Sequence, residues 1–251
     1  DKRPVARLEW AGKLLGIPDL APYALSRKLF PHAARLIFNA GGGVDLDQRD
    51  PALRAEVLAK LKSADRVSVR DNRTWAQLES ADIRASLVPD PAVMVAELFG
   101  ARIRQHGCQG EVADILHAFP QGYLAVQFSA DFGDDATLSE IAIQLDRALS
   151  SSGLAAALFR AGAAPWHDDL YCYERLASRM RSSVRIFHSL DLWDICALIA
   201  HSHGYCGSSL HGGIVAGAFA LPHLNLPHPA QTGDLSKQAA YKATWNSPCS
   251  S

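Results

Sequence analysis

GYLAVQFSADFGDDATLSEIAIQLDRALSSSGLAAALF, residues 122–159, is the stretch on which the fold turns. Residues 122–129 are an apolar run of strand formers that breaks into the polar loop SADFGDD. Thr137–Ser151 then shows helical spacing through Ile141, Ile143, Leu145 and Leu149, and Gly153 stands where a C-cap belongs. Leu154–Phe159 reads as the next strand. The alternation continues outward: Asp169–Met180 as helix, Val184–His188 as strand, Leu190–His201 as helix and a short strand near Tyr205–Cys206. A helix at His211–Ala220 and a strand at His223–Leu226 complete it. Strand–helix units repeated in this way build a parallel sheet with helices on both faces.

The first half carries the same grammar with fewer strands. Arg35–Asn39 is a strand running into Gly41-Gly42-Gly43, Pro51–Lys62 a helix and Arg66–Val69 a strand. Asp71 is placed to cap a helix at Asn72–Ser80, and Ser86–Val88 is a last strand before Pro89-Asp90-Pro91. The expected architecture is α/β, two Rossmann-like lobes in a GT-B-like arrangement. Residues 1–95 form an amino-terminal lobe that is incomplete in this chain, and residues 96–251 form the carboxy-terminal lobe. The segment Ala92–Gln109 is expected to connect them. The chain begins at Asp1 and is read as part of a longer protein.

Composition narrows the function. The 251 residues hold 25 Lys+Arg against 26 Asp+Glu, a net charge of -1, which offers no general attraction for nucleic acid or anionic lipid. With 48% hydrophobic and 20% charged residues the chain is that of a packed protein, and no apolar run reaches membrane-spanning length. Its five cysteines (Cys108, Cys172, Cys196, Cys206, Cys249) are scattered without a CxxC pair, which fits a reducing cytoplasm better than a disulfide or zinc framework.

Ligands of open parallel sheets bind outside the carboxyl ends of the strands. In the second half those loops are Ser129–Asp135, Ala161–Asp168, Ser189, Gly207–His211 and Pro227–Asp234. The strongest feature is Gly207-Ser208-Ser209-Leu210-His211-Gly212-Gly213, joining a short strand to a small-residue helix. The N–H groups of that helix start suit a phosphate or carboxylate, Ser208 and Ser209 add hydroxyls, and His211 can give a proton or neutralise an anion. The same residues also read as plain architecture, with Ser209 an N-cap and the glycines packing a helix against the sheet.

His167-Asp168-Asp169 lies in a loop after a strand, where the acids also serve as helix caps. His201, His203 and His211 together make an imaginable metal set, but no HExxH or carboxylate partner accompanies them, and no metal is expected. His223 and His228 flank a short strand. Gly41-Gly42-Gly43 resembles a phosphate loop without its lysine, and a turn is its simpler reading. Arg70, at a strand end, can clamp an anion or pair with the neighbouring Asp71.

Taken in order, NAGGG at 39–43, SVRD at 68–71, PDP at 89–91 and SSLHGGIVAGAFALP at 208–222 resemble the polysaccharide pyruvyl transferase family. Two departures stand out. Ser209 occupies a place where many members carry Arg and others Ser, and the N-x-G-D motif of the family's amino-terminal segment is not in this sequence. The resemblance implies transfer of a pyruvyl group from phosphoenolpyruvate to two hydroxyls of a sugar, giving a cyclic ketal in a cell-surface polysaccharide or its lipid-linked precursor. It implies His211 as general acid or phosphate partner, with Ser208, Ser209 and the Gly212 N–H at the anion. Arg70, His167, Gly42 and Gly43 are further substrate-binding candidates. Phosphoenolpyruvate is the donor substrate and no cofactor or metal is demanded. The expected place is the cytoplasm, with transient contact at the inner membrane face to reach a lipid-linked acceptor. Two other readings remain: a nucleotide-sugar-dependent glycosyltransferase of the same two-lobe form, against which SSLHGG offers no acid to hold a ribose, and a catalytically silent relative that binds a glycan or partner.

Overall fold

Helix α1 (Arg3–Leu15) is followed by three short parallel strands, β1 (Ile37–Gly41), β2 (Arg66–Val69) and β3 (Ser86–Leu87), adjacent in chain order. The computed structural model describes residues 3–17, 19–164, 167–227 and 236–245. Between the strands run α2 (Pro51–Lys62) and α3 (Asn72–Glu79). Asp50 accepts from the Ala52 and Leu53 N–H groups, Pro51 supplies a pre-set φ at the first helical position, and Lys60 and Lys62 meet the dipole at the end of α2. Asp71 caps α3 as expected, accepting from Thr74 N.

Strand β1 lies two residues later than the expected Arg35–Asn39. Leu36 is engaged outside the ladder, its N–H donating to Asp65 Oδ2 at 2.6 Å and its carbonyl accepting from Asp65 N at 2.9 Å, so pairing begins at Ile37 opposite Arg66. The register then slips between Phe38 and Gly41, at Ala40, which sits in the left-handed region with φ 51°.

A charged knot ties residues 19–21 to α2. Lys60, 7% exposed, reaches Asp19 Oδ2 and Glu56 Oε1, both at 2.8 Å, while the Leu20 and Ala21 N–H groups donate to Glu56. Burial by itself raises the Glu56 carboxyl, but the Lys60 ammonium and the two N–H donors outweigh it and leave it below its ordinary value. A carboxyl lowered in the folded state stabilises above its unfolded pKa and loses that contribution as pH falls through the folded one. The thermal midpoint is therefore expected to drop below about pH 4.5, and Glu56→Gln to flatten part of that drop in melts followed from pH 7 to pH 3. An equal acid drop in wild type and Glu56→Gln would show that this carboxylate contributes nothing.

The chain then builds α4 (Val95–His106), α5 (Gly110–Ala118), β4 (Tyr123–Gln127), α6 (Asp135–Ser152), β5 (Ala155–Phe159) and α7 (Leu170–Ala177). It continues through β6 (Val184–Phe187), α8 (Leu192–Ala200), β7 (Gly204–Gly207), α9 (Leu210–Ala218) and β8 (His223–Asn225). These five strands are parallel, in the order β6-β5-β4-β7-β8. Strand β5, AAALF, is buried at every position, the signature of a parallel strand covered on both faces. Ile103, Val112, Ile115, Leu198 and Val215 pack one face, and Leu138, Leu145, Leu149, Tyr173 and Leu176 the other. Each fully buried large side chain contributes about 1.5–3 kcal/mol. Gly153, with φ 72°, ends α6 in the left-handed conformation its position implied.

Two compact units result: residues 1–90 with 234–251, and residues 91–233. The segment Ala92–Gln109 is not a connection. It is mostly α4, which buries Ile103 completely and packs on α8, so it belongs to the core of the second unit. The last helix, α10 (Lys237–Trp245), belongs with the first unit instead of the second lobe. There the Asn72 N–H donates to Thr244 Oγ1 at 3.0 Å and Trp245 Nε1 donates to Arg70 O at 2.7 Å.

Candidate functional site

In the second unit the sheet order reverses about β4. The chain passes from β4 to β5 on one side and later lays β7 on the other, so the carboxyl ends of β4 and β7 form a topological switch point. Gln127 ends β4 at 1% exposure, and its Oε1 accepts the Ser209 N–H at 2.8 Å. The Tyr205 hydroxyl lies 3.2 Å from both Gln127 Oε1 and the Ser209 carbonyl, so β4, β7 and the start of α9 are bound together from beneath. Ser208 Oγ accepts from Ser129 N at 3.1 Å, and the Ala130 N–H donates to the His167 carbonyl at 2.8 Å. Ser208, Ser209, Gly212, His211 and His167 are thus at one end of one sheet, with Ser129 among them.

Their roles differ from one another. Ser209 is the N-cap of α9, accepting from Gly212 N at 3.3 Å, so the Gly212 N–H expected at an anion is already engaged. Gly207 and Gly212 make room for Tyr205: an added Cβ would lie 2.2 Å or 2.5 Å from its hydroxyl. The architectural reading of the glycines therefore holds here. His211 stands exposed in the first turn of α9, while Leu210 and Gly212–Ala216 are buried. His167 is exposed and pairs with Asp168 at 3.3 Å. Gln127 and Tyr205 escaped sequence reasoning. Their signal is a polar residue closing an apolar strand and a tyrosine in a strand of glycines.

Arg70, Gly42 and Gly43 are gathered in the first unit. Arg70 Nη1 pairs with Asp90 Oδ2 at 2.7 Å instead of with Asp71, whose carboxylate is taken by Thr74 N and Thr74 Oγ1. A Cβ on Gly42 would lie 2.7 Å from Arg70 Nε and Nη2, so only glycine lets the guanidinium lie against the loop. The Gly43 N–H donates to Thr74 Oγ1 at 2.9 Å. The NAGGG, SVRD and PDP segments thus converge on one guanidinium.

The imagined histidine metal set is dispersed. His201 and His203 precede β7 and stand against Gly107 and Gly122, at the end of the strand opposite His211. Burial lowers the pKa of His201. A different trio, His106, Asp191 and Asp194, brings ligand atoms within 4.8 Å of one another. Asp191 caps α8, and Asp194 hydrogen-bonds His106 Nδ1 at 2.6 Å and Ser189 Oγ at 2.7 Å, so helix architecture accounts for the grouping. Burial pushes the Cys196 and Cys206 thiols up to about 11, which keeps both protonated near neutrality. A cavity of about 480 Å³ beside β7 and β8 is lined by Leu124, Val126, Leu145 and Leu224 among others, without an arginine or lysine to hold an anion. His228, Cys249 and the expected loop beyond Pro227 lie outside the described residues.

The fold and this end of the sheet define a Rossmann-like α/β protein with polar loops at the carboxyl ends of its strands. The model of the family described as "Polysaccharide pyruvyl transferase" matches residues 16–228, and the chain belongs to that family. No match was found among the curated proteins. Among solved structures the chain is similar to the S. aureus MnaA–UDP co-structure, at 15% identity over 96% of this chain and 68% of that one, with a TM-score of 0.59. It is also similar to UDP-N-acetylglucosamine 2-epimerase from Rickettsia bellii, at 15% identity over 76% of this chain and 49% of that one, with a TM-score of 0.53. The chain spans about half the length of the latter, and these likenesses bear on the fold alone.

Proposed function

We propose that this chain transfers the pyruvyl group of phosphoenolpyruvate to two hydroxyls of a sugar in a cell-surface polysaccharide or its lipid-linked precursor, in the cytoplasm at the inner membrane face. The observation that carries the reading is the position of His211 in a chain of this family: exposed, in the first turn of α9, beside Ser208 and Ser209. The chemistry needs a proton on the enol CH2 carbon, which leaves C2 electrophilic. One sugar hydroxyl adds to C2. The C2–O bond to phosphate then breaks, a second hydroxyl takes its place, and both hydroxyl protons are released. Phosphoenolpyruvate and a diol become a ketal and inorganic phosphate. His211 serves as the acid or as partner of the departing phosphate, and the positive end of α9 favours the anion.

A second reading, use of a nucleotide-sugar donor, draws support from the fold shared with the UDP-bound S. aureus structure. Calorimetric titration separates the two. Phosphoenolpyruvate is expected to bind saturably, with binding weakened in His211→Ala, and UDP-glucose is expected to give no heat. The reverse pattern would replace the pyruvyl reading with the glycosyl one. Phosphoenolpyruvate binding without phosphate release at any acceptor would favour a silent binding protein.

A further inference from the structure

Arg160 follows β5 directly, at the carboxyl end of the five-stranded sheet. It is half-buried, its Nε is out of solvent without a hydrogen-bond partner, and its Nη2 makes one long contact, 3.5 Å to the His188 carbonyl. Among the described residues no carboxylate pairs with it, whereas Arg175 and Arg179 on the neighbouring helix both bind Asp135. A guanidinium is always charged and brings five donors. With its Nε buried and unpaired, it carries a desolvation penalty that an anion would relieve.

Its surroundings suit such an anion. The end of β5 lies between β4, which leads to Ser129 and the hydroxyl of Ser208, and β6, where the His188 and Ser189 N–H groups are already taken by the Glu111 carboxylate, so the open side is that of β4. The Tyr173 hydroxyl donates to the Phe128 carbonyl at 2.7 Å; burial raises that phenol, with the Asp168 carboxylate adding to the rise and the Phe128 hydrogen bond and Arg160 opposing it. The start of α9 presents Ser209 and no arginine.

We propose that Arg160 is an anion-binding residue of the second unit, receiving a phosphate or carboxylate at the carboxyl ends of β4 and β5. The identity of that anion as phosphoenolpyruvate rests on the function proposed above. The role of the guanidinium does not. The test is calorimetric titration of the full chain with phosphoenolpyruvate, inorganic phosphate and pyruvate separately, in wild type, Arg160→Gln and Arg160→Lys, with thermal melts of each.

Arg160→Gln is expected to keep its melting midpoint and to lose at least about tenfold in phosphoenolpyruvate affinity, with Arg160→Lys between it and wild type because lysine keeps charge without the fork. The smaller anion whose binding falls with it names the group held. Unchanged affinity in Arg160→Gln overturns the proposal, as does a wild type that binds none of the three anions. Arg160-dependent binding of inorganic phosphate by a wild type that ignores phosphoenolpyruvate keeps this assignment and removes the pyruvyl-donor reading. Should Arg160→Gln fail to fold, Arg160→Lys decides: weaker binding supports the assignment and wild-type affinity overturns it.

Discussion

Phosphate release from phosphoenolpyruvate is expected to fall by about 10²–10⁴-fold in His211→Ala, the range that a positioned general acid commonly contributes. The fold should survive the change. His211 is exposed in the first turn of α9, and the helix is anchored by the buried Leu210 and Ile214–Ala216 and by the Ser209 cap. Removing an exposed imidazole creates no core void, and alanine is a strong helix former. Melting curves that superimpose and a collapsed rate are the expected pair. A variant within a few-fold of wild type would remove His211 from the chemistry while leaving the family membership untouched.

The largest expected loss of stability comes from Asp90→Ala. The Arg70 and Asp90 side chains are 17% and 7% exposed, and their 2.7 Å contact holds the guanidinium beside Gly42. Deleting the carboxylate takes a charged partner from a guanidinium that cannot be neutralised, and breaking a buried pair by removing one partner costs about 3–5 kcal/mol. Removing both charges together is cheaper than the sum of the single losses, because neither charge is left facing the other's empty place. Denaturant unfolding of Asp90→Ala, Arg70→Met and the double variant should therefore give a double-mutant loss smaller than the sum of the singles. Additive losses would mean that the pair is screened by water and stabilises little. The Trp245 indole, which donates to Arg70 O, gives a fluorescence signal next to the perturbed site.

The register of β1 shows where local reading runs out. Arg35-Leu36-Ile37-Phe38-Asn39 is a convincing strand on propensity, but pairing with β2 starts at Ile37 because Asp65 captures Leu36 from outside the ladder. That competition involves residues about thirty positions apart, invisible to any local window. Ala92–Gln109 failed for a related reason: the partner that turns its apolar residues into a core helix, α8, lies far along the chain. Pro51–Lys62 and Arg66–Val69 were legible to the residue, since caps, a proline and alternating valines act within a few residues.

For the site, residue types and spacing were enough to single out His211, Ser208, Ser209, Arg70 and the glycines, because helix starts and strand ends leave local marks. Sequence also determined the α/β class, since periods of two and 3.6 residues alternate plainly from residue 122 onward. What each group touches was decided by tertiary structure. Arg70 chose Asp90, twenty residues away, over the adjacent Asp71; the Gly212 N–H went to the Ser209 cap; and Arg160 was left with an unpaired Nε at a strand end. Backbone propensity is set by neighbours in the chain, whereas the pairing of a charge or hydrogen-bond donor depends on which groups the fold brings within about 3 Å.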